Sequence, residues 1–215
     1  MDKSQKAGSS ISYLWENKWF FVPMLVFFMA GGLLAWLVPY GQEILWLNSA
    51  RVEPWNTLFH AITFGGEAWA YLFFGLPLLW IKPRFALILA FTGFLSMPLM
   101  YSLKDAIGVD RPVTYFEKKS ALHEVVLVPE VEMNRGQTSF PSGHSMAGFA
   151  LFGMLTLMLP RKNQKWGAAF AGLAMLVGIS RIFLVQHFLV DVLAGGWLGL
   201  VMCSLVWLAA RRVSE

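Results

Sequence analysis

The chain has 215 residues, of which 57% are hydrophobic and 14% are charged, and its formal net charge is +4. A soluble domain carries roughly 25% charged residues, so this composition excludes a soluble globule, a disordered chain, a coiled coil and a nucleic-acid-binding protein. We therefore expect an integral membrane protein, in which excess Lys and Arg mark cytoplasmic loops.

Six apolar segments follow one another along the chain, and a helix needs about 20 such residues to cross a bilayer. They predict an all-α, polytopic membrane protein: one domain over residues 1–215, built as a bundle of about six transmembrane helices. The second segment is irregular, because its first half carries His60, Gly65, Gly66 and Glu67. It could be an interfacial helix that leads into a span over 68–81. The fourth segment is short and is expected to begin a few residues earlier. The segments are 19–39, 56–80, 85–103, 145–159, 166–185 and 188–210.

Basic residues predict the orientation of the bundle. More than half of the seventeen Lys and Arg lie at one set of helix ends, which the positive-inside rule assigns to the cytoplasm. Both termini are then cytoplasmic, whereas the loop 104–144 and the turn 181–187 face the exterior. The residues on the predicted cytoplasmic side are Lys3, Lys6, Lys18, Lys82, Arg84, Arg161, Lys162, Lys165, Arg211 and Arg212.

The external segment 113–140 is too long for a plain turn. It mixes charged residues with the apolar run Val125-Val126-Leu127-Val128. Two interpretations stay open, a lid or substrate-access element and a packed outer loop.

Three polar clusters lie at predicted external helix ends, where polar groups are costly and therefore indicate function. The first is K-D-A-I-G-V-D-R-P over 104–112, and the second is P-S-G-H over 141–144. The third combines Ser180 and Arg181 with His187 and Asp191. A bundle of helices can bring the three clusters together.

The clusters contain the groups that an oxyanion needs. Lys104, Arg111 and Arg181 supply positive charge, with Arg suited to bidentate contacts and Lys to a point charge. Ser142 and Gly143 precede a predicted helix, so their backbone N–H groups can face an anion at its positive end. We expect this site to bind phosphate.

Two histidines predict the chemistry. His187 and Asp191 are four residues apart, so on a helix they would share a face and could hydrogen-bond. A carboxylate on one imidazole nitrogen fixes the tautomer and leaves the other nitrogen as a nucleophile or base. His144 is then the candidate proton donor to the leaving oxygen. Together they predict two-step hydrolysis through a phosphohistidine, which requires no metal.

These residues resemble the three signature motifs of the type 2 phosphatidic acid phosphatase superfamily, which includes membrane lipid phosphatases and vanadium haloperoxidases. The resemblance covers residues 104–191 and implies metal-independent hydrolysis without a cofactor. It implies His187 as nucleophile, Asp191 as its orienting partner and His144 as general acid. It also implies phosphate binding by Lys104, Arg111, Ser142, Gly143 and Arg181. The motifs are Lys104-x6-Arg111-Pro112, Pro141-Ser142-Gly143-His144 and Ser180-Arg181-x5-His187-x3-Asp191.

The expected function is hydrolysis of a lipid phosphate or diphosphate on the extracytoplasmic side of a bacterial inner membrane. Candidate substrates are undecaprenyl diphosphate, phosphatidylglycerol phosphate, phosphatidate and lipid A phosphates. The expected partners are this lipid and the bilayer, with no nucleic acid, and the oligomeric state stays open. The alternatives are a lipid phosphotransferase with the same site, a vanadate-dependent haloperoxidase, and a non-catalytic lipid-binding or transport protein.

Several acidic residues near the clusters leave alternatives open. Glu67 could partner Lys104 or an active-site Arg, or lie in water. Asp105 and Asp110 could form a metal pair, although solvation of a helix end is the simpler interpretation.

Overall fold

Long apolar runs become helices here because a backbone in lipid must satisfy its own hydrogen bonds. The computed structural model describes residues 12–212, so Lys3 and Lys6 of the predicted cytoplasmic group lie outside the described residues. The helices are α1 (Ser12–Glu16), α2 (Lys18–Leu37), α3 (Gln42–Trp46), α4 (Trp55–Thr63), α5 (Ala68–Ile81), α6 (Pro83–Ile107), α7 (Pro112–Lys118), α8 (Gly143–Leu157), α9 (Gly167–Phe183) and α10 (Leu189–Arg212). Short 3₁₀ turns cover Asn48–Ala50, Phe64–Gly66, Leu122–Glu124 and Arg161–Trp166.

The all-helical prediction is confirmed, with four or five candidate membrane spans in the described part of the chain. The four are α2, α6, α10 and the stretch Arg161–Phe183 that contains α9. The fifth is the irregular second segment, in which Trp55–Gly66 and Ala68–Ile81 meet at an angle of 59°. The short fourth segment begins at Gly143, two residues before its predicted start, yet α8 still has only 15 residues. Six crossings therefore stay a prediction.

Helix α8 lies at the centre of the bundle, and most of its residues are buried. It packs mainly against α10 and α9. Two glycines allow the α10 backbone to approach that of α8. A Cβ at Gly195 would lie 2.3 Å from the Ser142 carbonyl oxygen, and one at Gly199 would lie 2.3 Å from that of Met146. This glycine contact places the start of α8, with its histidine, beside the start of α10.

The basic helix ends predicted to be cytoplasmic meet at the end of the bundle opposite the motifs. Arg84, at the start of α6, donates a hydrogen bond of 2.6 Å to the Ala210 carbonyl near the end of α10. Arg161, before α9, pairs with Glu16 at 3.2 Å. The helix directions thus agree with the predicted arrangement of the charges. That this end faces the cytoplasm stays a prediction.

The end of the segment 113–140, which is predicted to be external, is fastened to the residues that precede α7. Val109 and Thr138 form a parallel β-bridge, and the Ser139 amide donates to the Val109 carbonyl at 3.0 Å. The Arg111 amide donates to the Gly136 carbonyl at 2.8 Å. These bonds make residues 136–139 a wall of the motif region, whereas a lid role for the segment stays a prediction.

Candidate active site

The structure brings the three motif clusters together around one cavity. Six of the eight predicted site residues line it, and they come from the ends of four helices and from the turn before α10. Ser142 and Asp191 are fully buried behind the cavity wall. The lining members are Lys104, Arg111, Gly143, His144, Arg181 and His187.

Three cations converge on this cavity. Lys104 and Arg181 lie in the last turns of α6 and α9, and Arg111 directly precedes α7. All three side chains are buried, and Nε of Arg181 has no hydrogen-bond partner within residues 12–212. Burial lowers the pKa of the Arg111 guanidinium, and the Asp191 carboxylate opposes this effect. Buried cations are costly unless they are paired, so this concentration of positive charge favours an anionic ligand.

Two of the cations are held by the loop before α8. Nζ of Lys104 donates to the Thr138 carbonyl at 2.8 Å. Nε of Arg111 contacts the Thr138 hydroxyl at 3.3 Å, and its Nη1 donates to the Gln186 carbonyl at 3.0 Å. The cations are thus oriented by backbone and hydroxyl oxygens, which leaves their charge available to a ligand.

The N-terminus of α8 differs in one detail from the sequence interpretation. The Ser142 hydroxyl caps the helix by accepting from the Ser145 amide at 3.3 Å. The Ser142 amide, expected to face an anion, instead donates to the Asp191 carbonyl at 3.0 Å. Of the two predicted backbone donors, only Gly143 lines the cavity. Tight packing on α10 therefore engages the Ser142 amide in this geometry, and phosphate binding by Ser142 stays a prediction.

His187 lies in the turn before α10 rather than on the helix, which begins at Leu189. Its Nδ1 lies 3.5 Å from Oδ2 of Asp191, too far for a normal hydrogen bond. That carboxylate oxygen accepts instead from the Ser139 hydroxyl at 2.6 Å and from the Phe188 amide at 2.9 Å. His187 and Asp191 are thus neighbours, as predicted, but a turn rather than a helix face brings them together. Ser139, from the loop before α8, donates to the carboxylate oxygen that lies nearest to His187.

Electrostatics around His187 favour a neutral imidazole. Burial lowers its pKa well below the ordinary value, and Arg111, Arg181 and Lys104 lower it further, while the Ser139 backbone opposes them. Its Nε2 lies 3.2 Å from Nη1 of Arg111. A neutral imidazole is the form that a nucleophile requires.

Glu67 is the acidic neighbour of His144. Its Oε1 lies 3.5 Å from Nε2 of that histidine, and both side chains are about one-third exposed. Of the interpretations left open for Glu67, the structure thus selects neither a Lys104 contact nor a purely solvated residue, and the carboxylate also interacts electrostatically with Arg181, an active-site Arg. The sequence offered one local signal, an acid directly after Gly65-Gly66 inside an apolar segment.

From the polar end, the cavity continues between α5 and α6 and has a volume of about 1080 Å³. Beyond the three cations the cavity walls are apolar, with α5 on one side and α6 on the other. The apolar lining includes Leu72, Leu76, Leu79, Ala90, Phe94 and Met97.

Within residues 12–212 no group of three or more His, Cys, Asp or Glu side chains is placed to hold a metal ion. Asp110, considered above as half of a metal pair, instead forms an ion pair of 2.7 Å with Lys118.

Comparison with known proteins decides the family. The model of the PAP2 superfamily matches residues 84–215. The chain belongs to the PAP2 superfamily. All eight predicted site residues of this PAP2 protein lie within the matched region, whereas Glu67 lies before it.

Curated relatives of this PAP2 protein include phosphatidylglycerophosphatase B of Bacillus subtilis, 43% identical over 75 residues that cover 32% of the chain. Lipid A 1-phosphatase of Rhizobium etli is 29% identical over 57% of the chain. The matched regions span 37% and 49% of these two relatives' lengths. The bacitracin transport permease protein BcrC of Bacillus licheniformis is 28% identical over 67% of each chain.

Two solved structures share the fold. Aquifex aeolicus LpxE superimposes with a TM-score of 0.63 at 23% identity and covers 77% of this chain and 92% of its own. The PAP2-type phosphatidylglycerolphosphate phosphatase of Bacillus subtilis gives 0.62 at 24% identity and covers 91% and 98%. The helical arrangement is therefore that of a multi-pass PAP2 membrane protein.

Proposed function

We propose that this protein is an integral membrane lipid phosphatase that removes phosphate from a lipid phosphate or diphosphate headgroup. The observation that carries the proposal is the shared cavity, in which three buried cations lie at one end and an apolar groove between α5 and α6 begins at the other. A phosphate ester of a soluble alcohol would leave the apolar walls exposed. A lipid phosphate fills both parts of the cavity.

The site residues support a two-step mechanism. Nε2 of His187 attacks phosphorus, the bond from phosphorus to the leaving oxygen breaks, and His144 gives that oxygen a proton. Water, deprotonated by His144, then attacks the phosphohistidine, and phosphate leaves while His187 returns to its neutral form. Throughout, Lys104, Arg111 and Arg181 offset the negative charge on the phosphoryl oxygens.

Asp191 and the α8 terminus support this chemistry from behind the cavity. The carboxylate faces Nδ1 of His187 and favours the tautomer whose Nε2 lone pair points at phosphorus. Gly143 lets the α8 backbone reach the cavity, where its amide joins the cations in binding phosphate. Ser142 contributes as the helix cap that fixes this terminus.

The named relatives support a lipid phosphate as substrate. Two of them are named as phosphatases of phosphatidylglycerophosphate and of lipid A. We favour phosphatidylglycerol phosphate or undecaprenyl diphosphate over phosphatidate and lipid A. The sidedness belongs to the same proposal: six crossings, both termini in the cytoplasm, and a site that faces the exterior or periplasm of a bacterial inner membrane. The basic residues at the opposite end of the bundle support it.

The test is phosphate release by the purified protein in detergent with excess EDTA. The panel contains phosphatidylglycerol phosphate, phosphatidate, lipid A and undecaprenyl diphosphate. We expect the wild type to release phosphate from at least one lipid. The rate of phosphate release should fall at least 100-fold in His187→Ala and in His144→Ala. His123→Ala is the matched control, because His123 is exposed in the loop after α7. No release from any lipid, or full activity of His187→Ala, would overturn the proposal, and transfer to an added lipid alcohol would redirect it to a phosphotransferase.

A further inference from the structure

The second apolar segment breaks beside the candidate active site. Helix α4 ends at Thr63, a 3₁₀ turn covers Phe64–Gly66, and α5 begins at Ala68 after a bend of 59°. Glu67 stands at this break in an extended conformation, with φ −108° and ψ 166°. The break therefore directs a carboxylate into the cavity, whose lining includes Glu67.

The position of this carboxylate relative to His144 is fixed by backbone contact. A Cβ at Gly66 would lie 2.5 Å from the His144 carbonyl oxygen and 2.9 Å from its Cα. A Cβ at Gly65 would lie 2.8 Å from the Val177 side chain. The absence of a Cβ at these two glycines permits the close backbone approach. Glu67, the next residue, is therefore held at a fixed distance from His144.

The same break also touches a phosphate-binding cation. The Thr63 hydroxyl, which is buried, accepts a hydrogen bond of 2.5 Å from Nη1 of Arg181. One short segment, 63–67, thus contacts both the candidate general acid and one of the three cations. This segment precedes the region that matches the PAP2 family model.

We propose that Glu67 is a positioning residue that aims His144 at the leaving oxygen and offsets the cations that disfavour its protonated form. The proposal rests on the phosphatase function proposed above and extends its machinery beyond the motifs. The charged and titratable groups that face His144 are Glu67 at the break, Lys104 on α6, Arg111 before α7, Arg181 on α9 and His187 before α10. Glu67 is the acid among them, so it is the group that favours an imidazolium amid three cations.

The location of Glu67 along the cavity supports this role. Moving away from the cations, the lining passes from Glu67 and His144 to the apolar walls of α5 and α6. A lipid bound with its phosphate on the cations has its ester oxygen at this junction. As the phosphorus–oxygen bond breaks, the electron pair stays on that oxygen and the His144 proton moves to it, while Glu67 keeps its charge.

This role predicts an effect that depends on the leaving group. A lipid alkoxide leaves only if it is protonated, whereas a nitrophenolate leaves without a proton. Loss of Glu67 therefore slows cleavage of the lipid ester and spares a nitrophenyl ester. A general loss of folding or of phosphate binding would slow both reactions equally.

The experiment compares Glu67→Gln, Glu67→Asp and the wild type on two substrates in detergent. One is the lipid of the panel above that the wild type hydrolyses fastest, and the other is a nitrophenyl phosphate whose ring carries an octanoyl chain. Glu53→Gln is the matched control, because Glu53 is an exposed acid just before α4 that accepts from the Thr57 hydroxyl at 2.8 Å. The pH profile of kcat on the lipid is measured in parallel.

We expect Glu67→Gln to lower kcat on the lipid by about 10-fold or more and on the nitrophenyl ester by less than about 3-fold. Its basic limb on the lipid should move to lower pH, and Glu67→Asp should retain part of the rate. Equal loss on both substrates, no loss, or an unmoved basic limb would overturn the role of Glu67 alone. If the wild type released phosphate from no lipid, the proposed phosphatase function would fail, and the role of Glu67 with it.

Discussion

Ser139 and Asp191 are joined by a hydrogen bond of 2.6 Å between hydroxyl and carboxylate, and both side chains are fully buried. This bond fastens the loop before α8 to the first turn of α10. It also occupies the carboxylate oxygen that lies nearest to His187. The orientation of the candidate nucleophile therefore depends on a residue outside the three motifs.

Ser139→Ala should lower both turnover and stability. The buried carboxylate would keep the Phe188 amide as a donor but lose the hydroxyl, and an unpaired buried acceptor costs roughly 1–3 kcal/mol. We expect kcat to fall several-fold with little change in KM, since the cations are untouched. Steady-state kinetics and thermal unfolding in detergent measure both effects. Ser102→Ala, at an exposed position of α6, should change neither. Wild-type kinetics in Ser139→Ala would contradict this role.

Gly199→Ala tests whether the contact between α8 and α10 fixes the active site. The added methyl would meet the Met146 carbonyl oxygen at 2.3 Å and the Ala150 amide at 3.0 Å, and neither backbone atom can rotate away. The helices must separate, which costs about 1–3 kcal/mol and moves His144 relative to His187. We expect a Tm lower by about 4 °C or more, together with lost activity. Gly172→Ala on α9 is the control, because its methyl meets nothing within 4 Å. Equal Tm values for the two variants would refute the explanation.

Arg51 should stabilise the C-terminus of α9, which carries Arg181 in its last turn. Its Nε donates to the Phe183 carbonyl at 2.7 Å and its Nη1 to Oδ1 of Asn48 at 2.6 Å. Burial lowers the pKa of Arg51 to about 10, so the group remains charged at neutral pH. Arg51→Ala should lower the free energy of unfolding by about 2–3 kcal/mol, since buried carbonyls lose a charged donor.

Arg51→Lys should give an intermediate loss, because one ammonium cannot reproduce the fork of a guanidinium. Thermal unfolding in detergent is the measurement. Lys162→Ala, at an exposed position before α9, should leave Tm unchanged. If Arg51→Ala unfolded at the wild-type temperature, the bonds to α9 would contribute nothing to stability.

The acid limb of kcat/KM should lie below pH 6.5, the ordinary pKa of histidine. Burial and then the cations lower the pKa of His187, so its neutral, nucleophilic form persists as the pH falls through that value. Arg111→Gln removes the nearest cation and should move the acid limb toward higher pH while raising KM. The pH profile of kcat/KM, which reports the free enzyme, is the measurement. A wild-type limb at or above pH 6.5 would argue against a His187 nucleophile in this environment.

The sequence alone predicted the helical membrane bundle and the convergence of the motif clusters. Apolar runs long enough to cross a bilayer have few alternatives to helices. Polar residues such as Lys104, His144 and Arg181 at the ends of those runs are costly to expose to lipid, so they cluster in a common site. Both conclusions follow from the cost of polar groups in lipid, which local composition is sufficient to show.

What sequence reasoning missed depends on tertiary packing. The helical spacing of His187 and Asp191 suggested a shared helix face, but α10 begins between them and Ser139 takes the carboxylate. The position of Ser142 before a helix predicted that its amide faces an anion, yet close contact with α10 makes this amide donate to the Asp191 carbonyl. The contact between Glu67 and His144 arises from a 59° bend whose only local sign is a pair of glycines.

Helices α5 and α6, which face each other across the apolar cavity, differ in whether the family model covers them. Helix α6 falls almost entirely inside the region that matches the PAP2 model, whereas α5 precedes it. One wall of the groove is thus drawn from the family-matched region that also carries Lys104, and the other wall is drawn from the stretch before it. Sequence drift in α5 can widen, shorten or reshape the groove without moving a motif residue. Under the proposed function, exchange of α5 between relatives, with Glu67 kept in place, would alter the preference for chain length.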